Sequence, residues 1–200
     1  MRIAGSNRDE TWNRVRTAGV DLLYRHGFEA MNTRQLAEAA GLKPGSLYYY
    51  FSSKEEFLHR LLVDLLEEIV TDLEESLEGL TAPVERLDAY IRTLVRWHVV
   101  RREETFIASI EVRSLTSDRQ ESYMQLRDRF DVILGEILRD GADQGVFSFQ
   151  HPGVLRNAIL SAVTAISTWY DPSGALGLDV LTNDFVELAR RMAGGSPTPV

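Results

Sequence analysis

One short stretch of this chain gathers groups suited to phosphate oxygens and to the hydrogen-bonding edges of bases. They are Thr33, Arg34, Lys43, Gly45, Ser46, Tyr48, Tyr49, Tyr50 and Lys54. Thr33 can give its hydroxyl and amide to a phosphate, helped by the dipole of a helix that starts there. Arg34 can reach a phosphate or a guanine edge. Gly45 and Ser46 are small enough to let the backbone approach a groove floor. The three tyrosines can bond phosphates through their hydroxyls or rest their rings on thymine methyls, and Lys43 and Lys54 suit phosphate contact.

These groups need rigid elements behind them, and the intervening residues supply the signals. Asn32 can N-cap a short helix, with Gln35 reaching back to the Asn32 amide in a capping box. Leu36, Ala37 and Ala40 give that helix an apolar stripe. Gly41 stands where the chain must leave it, a position that favours positive φ. Leu42 can wedge into the angle that follows. Pro44 suits the first turn of a second helix, where a missing N–H costs nothing. Leu47 and Phe51, four apart, face inward. Ser53 and Glu56 form a second capping box at the start of a third helix. The whole is the layout of a helix-turn-helix, whose second helix enters the DNA major groove. The competing reading makes the tyrosines half-buried packing residues, but three consecutive residues cannot all face one core on a helix.

The segment 32–54, NTRQLAEAAGLKPGSLYYYFSSK, resembles the N-terminal domain of the TetR family of bacterial regulators. The likeness covers roughly residues 10–60 and rests on Thr-Arg, Ala-Gly, small-Leu-Tyr-aromatic-Phe and Ser-Lys-Glu. It implies that the nine residues named above line the DNA. The family usually carries an aromatic residue or histidine where Tyr50 stands, so the bases read stay open.

Composition bounds the rest. Two hundred residues, 44% of them hydrophobic, suit one or two small globular domains. The absence of cysteine excludes a disulfide framework and a thiolate metal site, which fits a reducing bacterial cytoplasm. No apolar run approaches the roughly 20 residues that cross a bilayer, so no membrane partner is expected. The net charge of -8 is divided unevenly: residues 1–60 hold 9 Lys/Arg against 7 Asp/Glu, and the acidity lies behind them. An acidic rear can discourage indiscriminate DNA contact.

Nearly every segment has helical period, which predicts an all-α chain. A first helix carries Val15, Ala18, Gly19, Leu22 and Leu23 and ends at Gly27, completing a three-helix DNA-binding domain over 1–55. A long helix over 54–79 links it to a helical effector-binding and dimerisation domain over 56–194. Its acidic face (Glu67, Glu68, Asp72, Glu74, Glu75, Glu78) reads as solvated surface. Further helices are expected at 83–101, 103–115, 117–145, 152–170 and 179–193, with a loose tail over 195–200.

Helix bundles place ligand cavities between their helices. Trp97, Phe106, Ile110, Tyr123, Leu126, Phe130 and Trp169 are candidates to line one, and His98, Glu111 and Arg113 to orient a ligand. Plain core packing and salt bridging compete with each assignment. The rear half also resembles TetR regulators that sense fatty acyl-CoA or related thioesters. The likeness rests on RREETFIASIEVRSL at 101–115, LRDRFDVIL at 126–134 and SAVTAISTWYDPSGALGLDVL at 161–181. It implies an acyl chain in the bundle core and coenzyme A phosphates on Arg101, Arg102, Arg119, Arg127 or Arg156. Another hydrophobic effector is the alternative.

Ala158, Ile159, Ala162, Val163 and Ile166, with Leu181, Phe185 and Leu188, offer two stripes for close helix packing. The family resemblance implies a homodimer built on them as a four-helix bundle, presenting two heads to a palindromic operator. The four histidines are scattered without metal-ligand spacing, and no phosphate loop, nucleophile elbow or HExxH motif occurs. Neither an enzyme, a metal nor a cofactor is expected. A helical adaptor without DNA binding is the remaining alternative class.

Overall fold

A computed structural model describes residues 4–194, and all regular secondary structure among them is helical. Helix α1 runs Ala4–Ala30, α2 Thr33–Ala39, α3 Pro44–Leu47 and α4 Lys54–Leu77. Behind them come α5 (Pro83–Val100), α6 (Arg102–Glu111), α7 (Ser117–Asp143), α8 (Pro152–Thr164), α9 (Ile166–Trp169) and α10 (Leu178–Met192). The tail expected at 195–200 lies outside the described residues. Among the described residues no helix is long and apolar enough to cross a membrane.

The local signals explain the boundaries of the head. Asn32 Oδ1 accepts the Gln35 N–H at 2.9 Å while Gln35 Oε1 accepts the Asn32 N–H at 3.1 Å, a reciprocal capping box. Gly41 leaves α2 at φ 66°, and Pro44 opens α3. Gly27, at φ 75°, breaks the helical path of α1 three residues before its assigned end. The second capping box forms only by half. Ser53 caps the Glu56 amide at 3.0 Å, but the Glu56 carboxylate turns to Ser52, taking its hydroxyl and its N–H. The hydroxyl bond first, then the amide bond, lowers the Glu56 pKa.

Helix α4 is the axis of the molecule. Over 24 residues, about 36 Å of helix, its buried stripe runs from Phe57 and Leu58 through Leu65 and Leu66 to Leu73. The first turns pack into the head, where Phe57 meets Trp12 of α1 edge-on and Phe51 at 5.2 Å. The later turns pack on α5 and α7. A boundary at 55/56 therefore falls inside one continuous helix. The helix expected over 103–115 shortens to α6 and tightens into a 3₁₀ turn, Val112–Ser114. That expected over 152–170 divides at Ala165, where the Thr168 N–H bonds the Ala165 carbonyl.

Gly19 of α1 shows how tightly the head is closed on α4: a Cβ there would lie 2.1 Å from the Phe57 ring tip. Gly19→Ala must displace a ring with no exposed surface. The expected loss is about 1–3 kcal/mol in urea unfolding, with a fall in operator affinity as the head loosens.

Candidate functional site

The head separates buried packing residues from exposed ones sharply. Leu47 and Phe51 are buried, whereas Tyr48 and Tyr49 are 62% and 70% exposed. Tyr50 differs from its two neighbours. It is half-buried against the core, with its ring edge-on to Tyr49 at 5.5 Å. Arg34, Lys43, Gly45 and Ser46 are exposed, and Thr33 is half-exposed. A Cβ at Gly45 would meet nothing within 4 Å. Nothing inside the protein demands glycine there, and the space in front is open to an outside surface.

Two cations are occupied inside the head. Lys54, expected at a phosphate, donates to the Phe28 carbonyl at 2.8 Å and stacks over the Phe28 ring. Its place in the first turn of α4 brings it beside carbonyls that the end of α1 at Ala30 leaves without helical partners. Arg14, which the sequence reading missed, reaches from α1 to the carbonyls of Ala40 and Gly41 and clamps the turn between α2 and α3. Its exposed, polar position on α1 gave no sequence signal.

Helices α4, α5, α6, α7 and α8 enclose a cavity of about 260 Å³. Its apolar wall includes Leu65, Leu66, Ile69, Leu94, Val112, Phe130 and Leu160, and its polar groups include His98, Thr105, Ser109, Tyr123 and Thr164. Arg127, Asp131 and Leu160 line both this cavity and an outer groove between α7 and α8 that holds Met124, Asp128, Asn157 and Ser161. Arg156 pairs with Asp131 at 3.3 Å, while Arg127 has no hydrogen bond or ion pair with any described residue. The other candidate phosphate-binding arginines are engaged: Arg101 with Glu68 and Glu104, Arg102 with the Ser167 carbonyl, and Arg119 with Glu55.

Of the residues expected around a ligand, His98, Tyr123 and Phe130 meet in this cavity and the others do not. Trp97 points to the far side of α5, where its Nε1 donates to Asp72 at 2.8 Å. Phe106 packs edge-on to Tyr24 of α1. Glu111 accepts the Phe28 N–H at 2.9 Å and the Ser114 hydroxyl. Ile110 and Leu126 are half-buried outside the wall, and Arg113 is exposed on the 3₁₀ turn. Trp169 lies half exposed, stacked on Phe185 of α10. Periodicity placed these residues on helices but could not say which neighbour each faces.

The same ambiguity affects the expected dimer residues. Ile159, Val163, Ile166 and Leu181 are buried in the protomer's own core and cannot meet a partner without unpacking it. Ala162 and Leu188 are exposed, and Ala158 and Phe185 half so. Met192 joins them on the outward faces of α8 and α10, as do Val154 and Val180, which were not anticipated.

Helix α6 ties the cavity to the head. Thr105, Ala108 and Ser109 line the cavity from one face. From the other, Glu104 holds Arg16 of α1 at 3.1 Å and Phe106 holds Tyr24. Arg16 also pairs with Glu68 of α4, and Arg101 joins both carboxylates, closing a four-charge ring across α1, α4, α5 and α6. A second link joins the start of α4 to that of α7. Glu55 accepts the Thr116 N–H at 2.7 Å, which holds its pKa below the usual carboxylate value, and His59 meets Ser122 at 2.8 Å.

An exposed helix-turn-helix borne on a helical bundle is the layout of a DNA-binding transcriptional regulator. Residues 15–61 match the model of bacterial regulatory proteins of the tetR family, and residues 80–193 match the tetracyclin repressor-like C-terminal domain. The chain belongs to the TetR family, whose members are transcriptional regulators and not enzymes. It is 25% identical to the HTH-type transcriptional repressor KstR2 of Mycolicibacterium smegmatis over 92% of this chain and 88% of that protein. A tetR-family regulatory protein from Rhodococcus RHA1 superposes with a TM-score of 0.88 at 23% identity, covering 93% and 98% of the two chains. AibR, solved with isovaleryl coenzyme A and operator DNA, gives a TM-score of 0.79 at 22% identity, covering 88% and 97%.

Replacing Tyr48 with alanine removes an exposed ring, so DNA affinity is expected to fall about tenfold or more with the melting temperature unchanged. Leu47→Ala is expected to cost about 2–5 kcal/mol of stability. Gly45→Leu should leave stability intact and abolish operator binding in a gel-shift titration. Wild-type affinity in that variant would remove the recognition face from α3.

Proposed function

We propose that the chain is a repressor that binds a palindromic operator as a twofold dimer and is released by a small hydrophobic effector, an acyl-CoA or a related coenzyme A thioester. Thr33, Arg34, Lys43, Gly45, Ser46, Tyr48 and Tyr49 are the groups offered to DNA. The outward residues of α8 and α10, with Trp169, are the dimer surface. The observation that carries the reading is the double duty of α6, one face on the cavity and the other on α1.

An occupant that fits one position of α6 better than another shifts α1 through Glu104 and Phe106 and so changes the spacing of the two heads. Only this difference in affinity between two arrangements can release DNA. Two observations favour a thioester. Arg127 stands unpaired at the cavity mouth, suited to an anionic handle outside an apolar chain. The structurally similar AibR was solved in complex with isovaleryl coenzyme A and operator DNA. The volume of about 260 Å³ suits a short acyl group more than a long one, since drug-sized ligands occupy roughly 300–1,000 Å³. An uncharged hydrophobic effector is the alternative, and it would leave Arg127 without a role.

Selection from a random duplex pool, at moderate salt and without ligand, is expected to enrich an inverted repeat. No enrichment by a folded dimer would overturn the repressor reading. Short acyl-CoAs should then release that operator, and Arg127→Ala should weaken the release by roughly tenfold without altering operator affinity. Glu104→Gln breaks the four-charge ring. It is expected to destabilise the protein by about 2–3 kcal/mol and to reduce the effect of ligand on DNA affinity more than ligand binding itself.

A further inference from the structure

The hydroxyls of the cavity wall are, with one exception, already used by the protein. Thr105 donates to the carbonyls of Arg101 and Arg102, Ser109 to Phe106, and Thr164 to Leu160 and Ser161. Tyr90, buried deeper in the bundle, donates to the Phe130 carbonyl at 3.2 Å. Tyr123 is 5% exposed, lines the cavity, and has no hydrogen-bond partner among the described residues. Burial pushes its phenol up to about 12, so it stays an O–H donor at neutral pH.

His98 is the complementary case. It is 6% exposed, and its Nδ1 lies 2.8 Å from the Leu94 carbonyl, which can only accept. The hydrogen is therefore on Nδ1. Burial lowers the imidazole pKa more than that backbone bond raises it, keeping the ring neutral. Nε2 then presents a bare lone pair, with no described residue bonded to it. Among the described residues, the fully enclosed side-chain atoms without partners are Arg16 Nη2 and Arg119 Nη1. Neither His98 Nε2 nor Tyr123 Oη is among them. Each therefore touches open space, and the open space both side chains line is the cavity.

We propose that the cavity reads a polar substituent on its occupant, with His98 as a fixed acceptor and Tyr123 as a fixed donor, so that the effector is a hydroxylated or oxo-substituted acyl group and not a plain hydrocarbon one. The inference rests on the effector reading above. A plain chain would strip both groups of water and return no hydrogen bond, and sites built around such groups discriminate far more strongly than apolar pockets do. A hydroxyl can satisfy either group, whereas a ketone can satisfy only Tyr123.

The test is calorimetric binding to the full-length protein of three matched ligands: cyclohexanecarbonyl, 4-oxocyclohexanecarbonyl and 4-hydroxycyclohexanecarbonyl groups. Each is offered as its coenzyme A thioester and as its free acid. The wild type is expected to prefer both substituted rings over the plain ring by roughly tenfold or more. Tyr123→Phe should collapse the preference for the ketone and reduce that for the hydroxyl, which His98 can still accept. His98→Asn, which retains a donor for Leu94 and loses the Nε2 acceptor, should reduce the preference for the hydroxyl and spare that for the ketone. Each variant is read as a ratio between two ligands, so a general loss of affinity cannot imitate the result.

Thioesters that bind without preference would overturn the polar pair and leave the thioester reading standing. Free acids that alone bind, with the ratio intact, would reject the coenzyme A handle and support the pair. A ketone preference that survives Tyr123→Phe, a hydroxyl preference undiminished by either substitution, or no binding in either series, would overturn the pair.

Discussion

The structure depends on a ring of four charges at the meeting point of α1, α4, α5 and α6. Arg16 and Arg101 each contact Glu68 and Glu104, and Glu104 is almost wholly buried. Charges taken out of water are tolerable only when each has its partners, so the ring admits few arrangements of the four helices. Hydrophobic packing alone would allow α6 to slide on α1 in small steps. The ring, with Phe106 on Tyr24 and Glu111 on the Phe28 amide, restricts it to positions in which the pairs are made. Such a contact can transmit a choice between states and resist continuous drift.

The exposed face of the head follows from the same economy of fixed points. Helix α3 is a single turn and could not hold its shape alone. Leu47 and Phe51 anchor it from below, Arg14 holds the preceding turn from α1, and Lys54 fastens α4 to the end of α1. Tyr48 and Tyr49 are left outside because the inward positions are already filled. Exposed aromatic rings beside the exposed cations Arg34 and Lys43 are the feature on which the proposed DNA contact rests.

The cavity is small, mostly apolar, and lined in part by α6, which also contacts α1 of the head. Its hydroxyls are committed to helix carbonyls except that of Tyr123, and His98, held to the Leu94 carbonyl through Nδ1, keeps its Nε2 uncommitted. Arg127 and the Asp131–Arg156 pair stand where it meets the outer groove. An occupant would thus meet an apolar wall, a polar pair and a cationic mouth, which together constrain its chemistry more than volume does.

The sequence by itself determined the elements governed by local rules. Asn32 and Gln35 capped α2, Gly41 and Gly27 took positive φ, Pro44 opened α3, and the Leu47–Phe51 spacing set which face of the reader turns inward. These effects act within a few residues, so residue type and spacing suffice. Helical period also gave the all-α bundle. Tertiary structure alone decided which buried stripe meets which neighbour. Ile159, Val163 and Leu181 read equally well as a dimer seam and as protomer core, and only the packing against α5 and within the bundle assigned them to the core. Trp97, Phe106 and Glu111 lay on cavity-forming helices yet face Asp72, Tyr24 and Phe28. The physical reason is that an apolar stripe states how much surface must be hidden, while the rotation of each helix depends on partners distant in the chain.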